Sequence, residues 1–246
     1  MSANINVTRS RPAHVLMVAA SPAMSTTLGW PVGFWASELT HAYYEMSEAG
    51  YSMEIASPKG GKIEMDSWSD PRDTSGYSAH DLISMGFIHT PHLAALLEAT
   101  RPLSSVKSAE FDAILICGGQ APMFTFRDDK TLQALIGAFY ESEKPVAVLC
   151  HGVAALMDVK LSDGSYLIAG KTMTGFSNAE EDFADGIVGG KIMPWHIEDV
   201  AKQRGANYIQ GGLWKAFAVR DGRLITGQQQ YSGAKTAGLL IEALGV

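Results

Sequence analysis

Residues 144–156 read KPVAVLCHGVAAL. Val146 to Leu149, opened by Pro145, is an unbroken apolar run too short for a helix, and it reads as a strand buried on both faces. Cys150 stands at its end, and a helix starts directly behind it, with Gly152 letting the chain turn tightly. A nucleophile at such a junction has the geometry of a nucleophile elbow, with Cys in place of Ser. The helix N-terminus beyond it offers free N–H groups to an oxyanion, and its partial positive charge lowers a thiol pKa. A second reading is open from position alone, since most free cysteines are simply small buried hydrophobes. The neighbouring His151 and Gly152 weigh toward chemistry.

Working outward, His14 to Ala20 reads as a fully buried strand with no polar–apolar alternation, Tyr51 to Ser57 as a second strand and Phe111 to Cys117 as a third, buried one. Phe34 to Ala49 has helical spacing and stops at Gly50. Helices are also expected over Thr90 to Ala99, Asp128 to Ser142, Pro194 to Arg204 and Ser232 to Leu244, and Phe217 to Thr226 reads as a hairpin turning at Asp221-Gly222. Strands alternating with helices predict an α/β fold: a flavodoxin-like three-layer sandwich with a mostly parallel central sheet and helices on both faces. Residues 66–80 are rich in turn formers and read as a surface excursion, part of an insertion or cap at 62–106. No linker divides the chain, so residues 1–246 read as a single domain.

The formal net charge of −7 and the lack of a basic patch argue against nucleic acid and anionic membranes as partners. The apolar runs are strand-sized, far short of a bilayer span. Arg9 and Arg11 precede Val15 to Ala20 in the manner of a secretion signal, but that stretch falls below the ~7–15 residues of such a segment and reads as the first strand. The two cysteines, Cys117 and Cys150, make no disulfide framework; a reducing cytoplasm with free thiols fits.

Two further features carry chemistry. Ligands in open α/β sheets bind beyond the C-terminal strand ends, and Gly118-Gly119 ends the strand at 111–117. Two glycines allow close backbone approach and can aim an N–H at developing negative charge; beside the elbow they read as an oxyanion hole. Glu38 shares a helix face with Phe34 and Ala42 on an otherwise apolar side. It is either a buried carboxyl with a raised pKa, able to carry a proton, or a partly exposed Glu beside a groove. His89 and His92 read as solvated loop residues rather than metal ligands, and His196 as a surface residue. Cys117 fits core packing. Phe183, Trp195 and Trp214 line either the core or a pocket.

Five stretches carry a resemblance over nearly the whole chain: GFWASELTHAYYEMSEAGYSMEIASPKGG from Gly33, FDAILICGGQAPM from Phe111, KPVAVLCHGVAAL from Lys144, KTMTGFSNAEED from Lys171 and DGRLITGQQQ from Asp221. They resemble the ThiJ/PfpI superfamily of the class I glutamine-amidotransferase-like fold, in the branch of heat-shock chaperone-type glyoxalase III enzymes. The resemblance implies Cys150 as nucleophile, His151 as base and Glu38 as the early glutamate. The acid that orients His151 falls on Glu181, with Glu180 close behind. It implies no cofactor or metal, a cytoplasmic location and a homodimer. Cys and His are adjacent here, unlike in amidotransferases proper, which argues against glutaminase chemistry. Cys117 stands where the family often has Pro, and Gln229-Gln230-Tyr231-Ser232 replaces Asn-Pro-Ala-Ser.

The activity implied is glutathione-independent conversion of methylglyoxal and related 2-oxoaldehydes to 2-hydroxy acids through a Cys150 hemithioacetal. The residue types fit: a soft nucleophile, a base near neutral pKa and a raised-pKa carboxyl. Amide, peptide or ester hydrolysis through an acyl-Cys150 is the first alternative. A holding chaperone, or a stress sensor that oxidises Cys150, is the second.

Overall fold

The computed structural model describes residues 12–245, so Arg9 and Arg11 lie outside the described residues. In chain order the elements are β1 (His14–Val18), β2 (Ala23–Met24), β3 (Pro31–Val32), α1 (Ala36–Glu48) and β4 (Ser52–Ser57). Next come α2 (Leu82–His89), α3 (Pro91–Glu98), β5 (Arg101–Pro102), β6 (Ala113–Ile116), α4 (Ala121–Thr125), α5 (Lys130–Glu141) and β7 (Val146–Leu149). The chain ends with β8 (Thr172–Met173), α6 (Asn178–Val188), α7 (Ile197–Gln203), β9 (Asn207–Tyr208), β10 (Ala218–Asp221), β11 (Leu224–Gly227) and α8 (Gly233–Leu244).

Seven strands form one sheet in the order β10-β11-β7-β6-β1-β4-β5, parallel throughout except for β10. β10 pairs antiparallel with β11 across the Gly222-Arg223 turn, one residue beyond the expected position. The central strands are apolar at every position because side chains of alternating parity enter two different cores. Leu16, Val18, Ile114, Ile116, Val146 and Val148 pack with Leu132, Ile136 and Phe139 of α5. Val15, Met17, Leu115, Ala147 and Leu149 pack on the other face with Leu39 and Met46 of α1 and with Leu240 of α8. The result is the expected three-layer sandwich. Among the described residues no helix is long and apolar enough to cross a membrane.

Three expectations need correction. The 66–80 tract is not a plain surface excursion: Asp66 and Ser69 within it are buried, because both turn inward to hold backbone N–H groups. His89 and His92 are exposed, as expected, but they stand on helices α2 and α3 rather than in a loop. Helix α6 has no counterpart in the expected elements. It starts at a capping box in which the Ser177 side chain accepts from Glu180 N–H while the Glu180 carboxyl accepts from Ser177 N–H.

The double-core arrangement predicts that Leu16→Ala, at a fully buried position in the sheet centre, destabilises the fold by about 2–5 kcal/mol. Urea denaturation followed by circular dichroism measures this. A loss below about 1 kcal/mol would contradict close packing on that face.

Candidate active site

Strands β6 and β7 are neighbours at the middle of the sheet, so their C-terminal ends open into the same space. Cys150 follows β7 with φ +54, in the left-handed region that a residue with a side chain rarely adopts. The sharp reversal leads into the expected helix, which is a 3₁₀ helix, Cys150–Leu156. Glycines make room for it. A Cβ on Gly152 would stand 2.8 Å from the Cys117 carbonyl oxygen, and one on Gly118 would stand 2.7 Å from Gly152 N. Gly119, at φ +108, lies flush against the entry to α1, where a Cβ would come within 2.5 Å of Trp35 N. That close approach is sealed by Trp35 N–H donating to the Gly118 carbonyl at 3.1 Å.

The first turn of α1 is thereby fixed beside the elbow, and it carries Glu38. Its carboxyl is wholly buried and accepts from Gly118 N–H through Oε2 at 2.6 Å. Burial pushes the Glu38 pKa up to about 8, against the pull of its contacts with the Cys150 thiol and Gly118 N–H, and the charge of Asp66 adds to the rise. Of the two readings for Glu38, the structure selects the buried carboxyl. Its Oε1 has no hydrogen-bond partner of good geometry among the described residues.

Cys150 is 2% exposed. Burial raises its thiol pKa well above the ordinary value, and the adjacent Glu38 raises it further; the N–H groups of His151 and Gly119 pull the other way. The lowering expected from the helix N-terminus is therefore present but outweighed by desolvation. Much of the opposition from Glu38 is that of a charged carboxylate, and it disappears while Glu38 keeps its proton. Gly118 also departs from expectation. Its N–H is committed to Glu38, which leaves Gly119 and His151 as the backbone donors facing the sulfur.

His151 lies with Nδ1 3.8 Å from Cys150 Sγ, and its Nε2 is bonded to Glu181 Oε1 at 2.9 Å. Glu181 thus holds the Nε2 edge of the ring, and Nδ1 is the ring nitrogen turned to the thiol. The Phe176 ring stacks on the imidazole at 4.1 Å between centroids and fixes its plane. Glu180 has a different task. It accepts from Ser177 Oγ, Gln228 Nε2 and Trp214 N–H. Of the two candidate acids, Glu181 is the one on the histidine.

Asp66 was missed by sequence reasoning. It is buried and ties two loops together, accepting from Gly33 N–H at 2.8 Å and from Gln120 N–H at 2.6 Å. Burial pushes its pKa up to about 6, although both N–H donors oppose the rise. A carboxylate in a turn-rich tract gives no sequence signal of such a role. The aromatic residues divide: Phe183 and Trp214 line a cavity of about 750 Å³ over Cys150, whereas Trp195 lies under the Arg127 guanidinium. Cys117 is fully buried in the core under α1. His196 stands at the N-terminal boundary of α7, outside the cavity lining. Among the described residues no group of three or more His, Cys, Asp or Glu side chains is placed to hold a metal ion.

A parallel sheet with a strained cysteine elbow at its centre defines a class of α/β protein, and comparison with known sequences narrows it. The chain belongs to the DJ-1/PfpI family, whose sequence profile matches residues 31–243. It is similar to Glyoxalase 3 of Candida albicans, at 28% identity over 221 residues, covering 87% of this chain and 91% of that protein. It is also similar to the glutathione-independent glyoxalase HSP31 of Saccharomyces cerevisiae, at 29% over 223 residues, covering 88% and 91%. The crystal structure of the Rapid Encystment Protein 24 KDa of Francisella tularensis matches with a TM-score of 0.85 at 29% identity, covering 94% of this chain and 99% of that one.

The glycine contacts yield a paired test. Gly152→Ala should lower the melting temperature by several degrees, because its Cβ meets backbone rather than a mobile side chain. Gly86→Ala, in the interior of α2 with open space around it, should be neutral or stabilise by about 0.4–1 kcal/mol. Differential scanning calorimetry reads both; equal shifts would show that the elbow is not sterically tight.

Proposed function

We propose that this protein is a glutathione-independent glyoxalase that converts 2-oxoaldehydes to 2-hydroxy acids with Cys150 as nucleophile. The observation that carries the reading is a buried thiol set between a buried carboxyl, Glu38, whose pKa burial pushes up to about 8, and the His151–Glu181 pair. The similar proteins named as glyoxalases support the same chemistry.

In this scheme Cys150 Sγ adds to the aldehyde carbon C1 as its proton passes by way of His151 Nδ1 to the aldehyde oxygen, giving a hemithioacetal and leaving Nδ1 free to act as a base. The N–H groups of Gly119 and His151 hold the oxygen as charge develops on it. His151, held by Glu181, then takes the C1 proton to form an enediol. Protonation at C2 gives a thioester, with Glu38 exchanging protons with the oxygens. Water cleaves the thioester to the 2-hydroxy acid and restores the thiol. C1 is oxidised by two electrons and C2 is reduced by two, so no external oxidant or reductant takes part. Gly118 is a positioning residue in this assignment, because its N–H holds Glu38 rather than substrate.

The 62–106 segment acts as a cap in the same reading, since Met65, Ser67, Trp68 and Tyr77 from it line the cavity mouth. A single domain, a cytoplasmic location and a homodimer go with the proposal; sedimentation equilibrium checks the last.

The test is lactate formation from methylglyoxal without glutathione. Wild type is expected to turn over, Cys150→Ala to be inactive, and Glu38→Gln to lose roughly 10²–10⁴-fold in kcat. Because the protonated form of Glu38 is the working one, wild-type kcat should fall as pH rises through about 8. An inert wild type, or an active Cys150→Ala, would overturn the assignment.

A further inference from the structure

The cavity over Cys150 is large for the simplest 2-oxoaldehyde. At about 750 Å³ it lies within the ~300–1,000 Å³ that encloses drug-sized ligands, whereas methylglyoxal has five non-hydrogen atoms. Its lining is also distinctive. Trp35, Trp68 and Tyr77 form one aromatic group, with ring centroids 6.0 Å and 5.8 Å apart. Phe176, Trp214 and Phe183 form a second, at 5.8 Å and 5.6 Å. The lining includes no Lys or Arg; its acidic side chains are Glu64 and Glu181. An anionic substituent would meet no countercharge there, and a neutral apolar one would meet aromatic faces.

Trp214 is held in place at a conformational cost. Its φ of +57 puts a bulky residue in the left-handed region, which persists only when the surroundings impose it. The restraint is visible: Trp214 N–H donates to Glu180 Oε1 at 3.1 Å, and Glu180 is itself buried and pinned by Ser177 and Gln228. Two adjacent carboxylates on α6 therefore divide the work, Glu181 holding the histidine and Glu180 holding an aromatic wall.

We propose that the site is selective for 2-oxoaldehydes with an aromatic or similarly large neutral apolar substituent, and that Trp214 is the residue that determines this preference. The inference rests on the glyoxalase reading and names its substrate class. The substituent lies against the Phe176–Trp214–Phe183 rings while C1 is at Cys150.

The experiment compares kcat/KM for phenylglyoxal and methylglyoxal in wild type, Trp214→Ala and Phe183→Ala, without glutathione. Wild type should favour phenylglyoxal by about tenfold or more. Trp214→Ala should remove most of that preference, the loss in kcat/KM falling more heavily on phenylglyoxal than on methylglyoxal. Phe183 is 47% exposed, so Phe183→Ala should cost the fold little and shift the ratio the same way even if Trp214→Ala fails to fold. Equal kcat/KM for the two aldehydes in wild type would overturn the proposal with the glyoxalase reading intact, and so would variants that slow both aldehydes alike. In parallel, calorimetry on Cys150→Ala measures binding of the inert diketones 1-phenylpropane-1,2-dione and butane-2,3-dione. Tighter binding of the aryl diketone with no turnover of either aldehyde would keep the substituent preference and reject the glyoxalase chemistry. Equal or undetectable binding of both would reject the preference itself.

Discussion

Glu38 and Cys150 are shut away from water side by side, and neither can hold a negative charge there without cost. Two anions in such a place would repel strongly at low dielectric, so both groups keep their protons over the neutral range. The Glu38 carboxyl keeps it to pH about 8, and the thiol is pushed up as well. The proton on Glu38 sets the chemistry of the centre. A neutral carboxyl beside the sulfur leaves the His151 and Gly119 N–H groups as the main charges the nascent thiolate meets. The carboxyl then has a proton to exchange with substrate oxygens.

Such closeness depends on backbone packing without side chains. Gly118, Gly119 and Gly152 each sit where a Cβ would collide with backbone of another segment. Their absence of side chains lets the end of β6, the elbow after β7 and the start of α1 interlock. Asp66 braces the arrangement from the cap side by holding Gly33 and Gln120 on either flank. The N-terminus of α6 braces it from the other side through Glu181 on His151 and Glu180 on Trp214. The strain at Cys150 and Trp214 is therefore carried by contacts that also position the site.

The central strands were legible because they are buried on both faces and so read as unbroken apolar runs: VLMV in β1, AILI in β6 and VAVL in β7. The elbow was legible because a cysteine directly after such a run has only the strand end to occupy. Glu38 was half legible, since helical spacing showed the face it shares but not whether that face is sealed. Asp66 was not legible, because its role comes from two N–H groups distant in sequence. Helix α6 carried a readable signal, the Ser177-to-Glu180 capping box, but few apolar residues follow it to mark a buried face. The thiol was misjudged in direction: sequence shows the helix start that lowers a pKa but not the burial that raises it. Gly118 and Gly119 look alike in sequence. Only the bond from Gly118 N–H to Glu38 separates the strut from the donor.

The proton on Glu38 can be observed directly. Protein labelled with ¹³C at the glutamate side-chain carboxyl carbon, with Glu38 assigned by its loss in Glu38→Gln, reports the titration of this one group by NMR. The account predicts a midpoint near pH 8, moving higher in Cys150→Ala, where the thiol contact that pulls it down is lost. A midpoint near 4.5, the ordinary value for this side chain, would mean that Glu38 is an anion at neutral pH and would contradict the proton-carrying role at the centre of this mechanism.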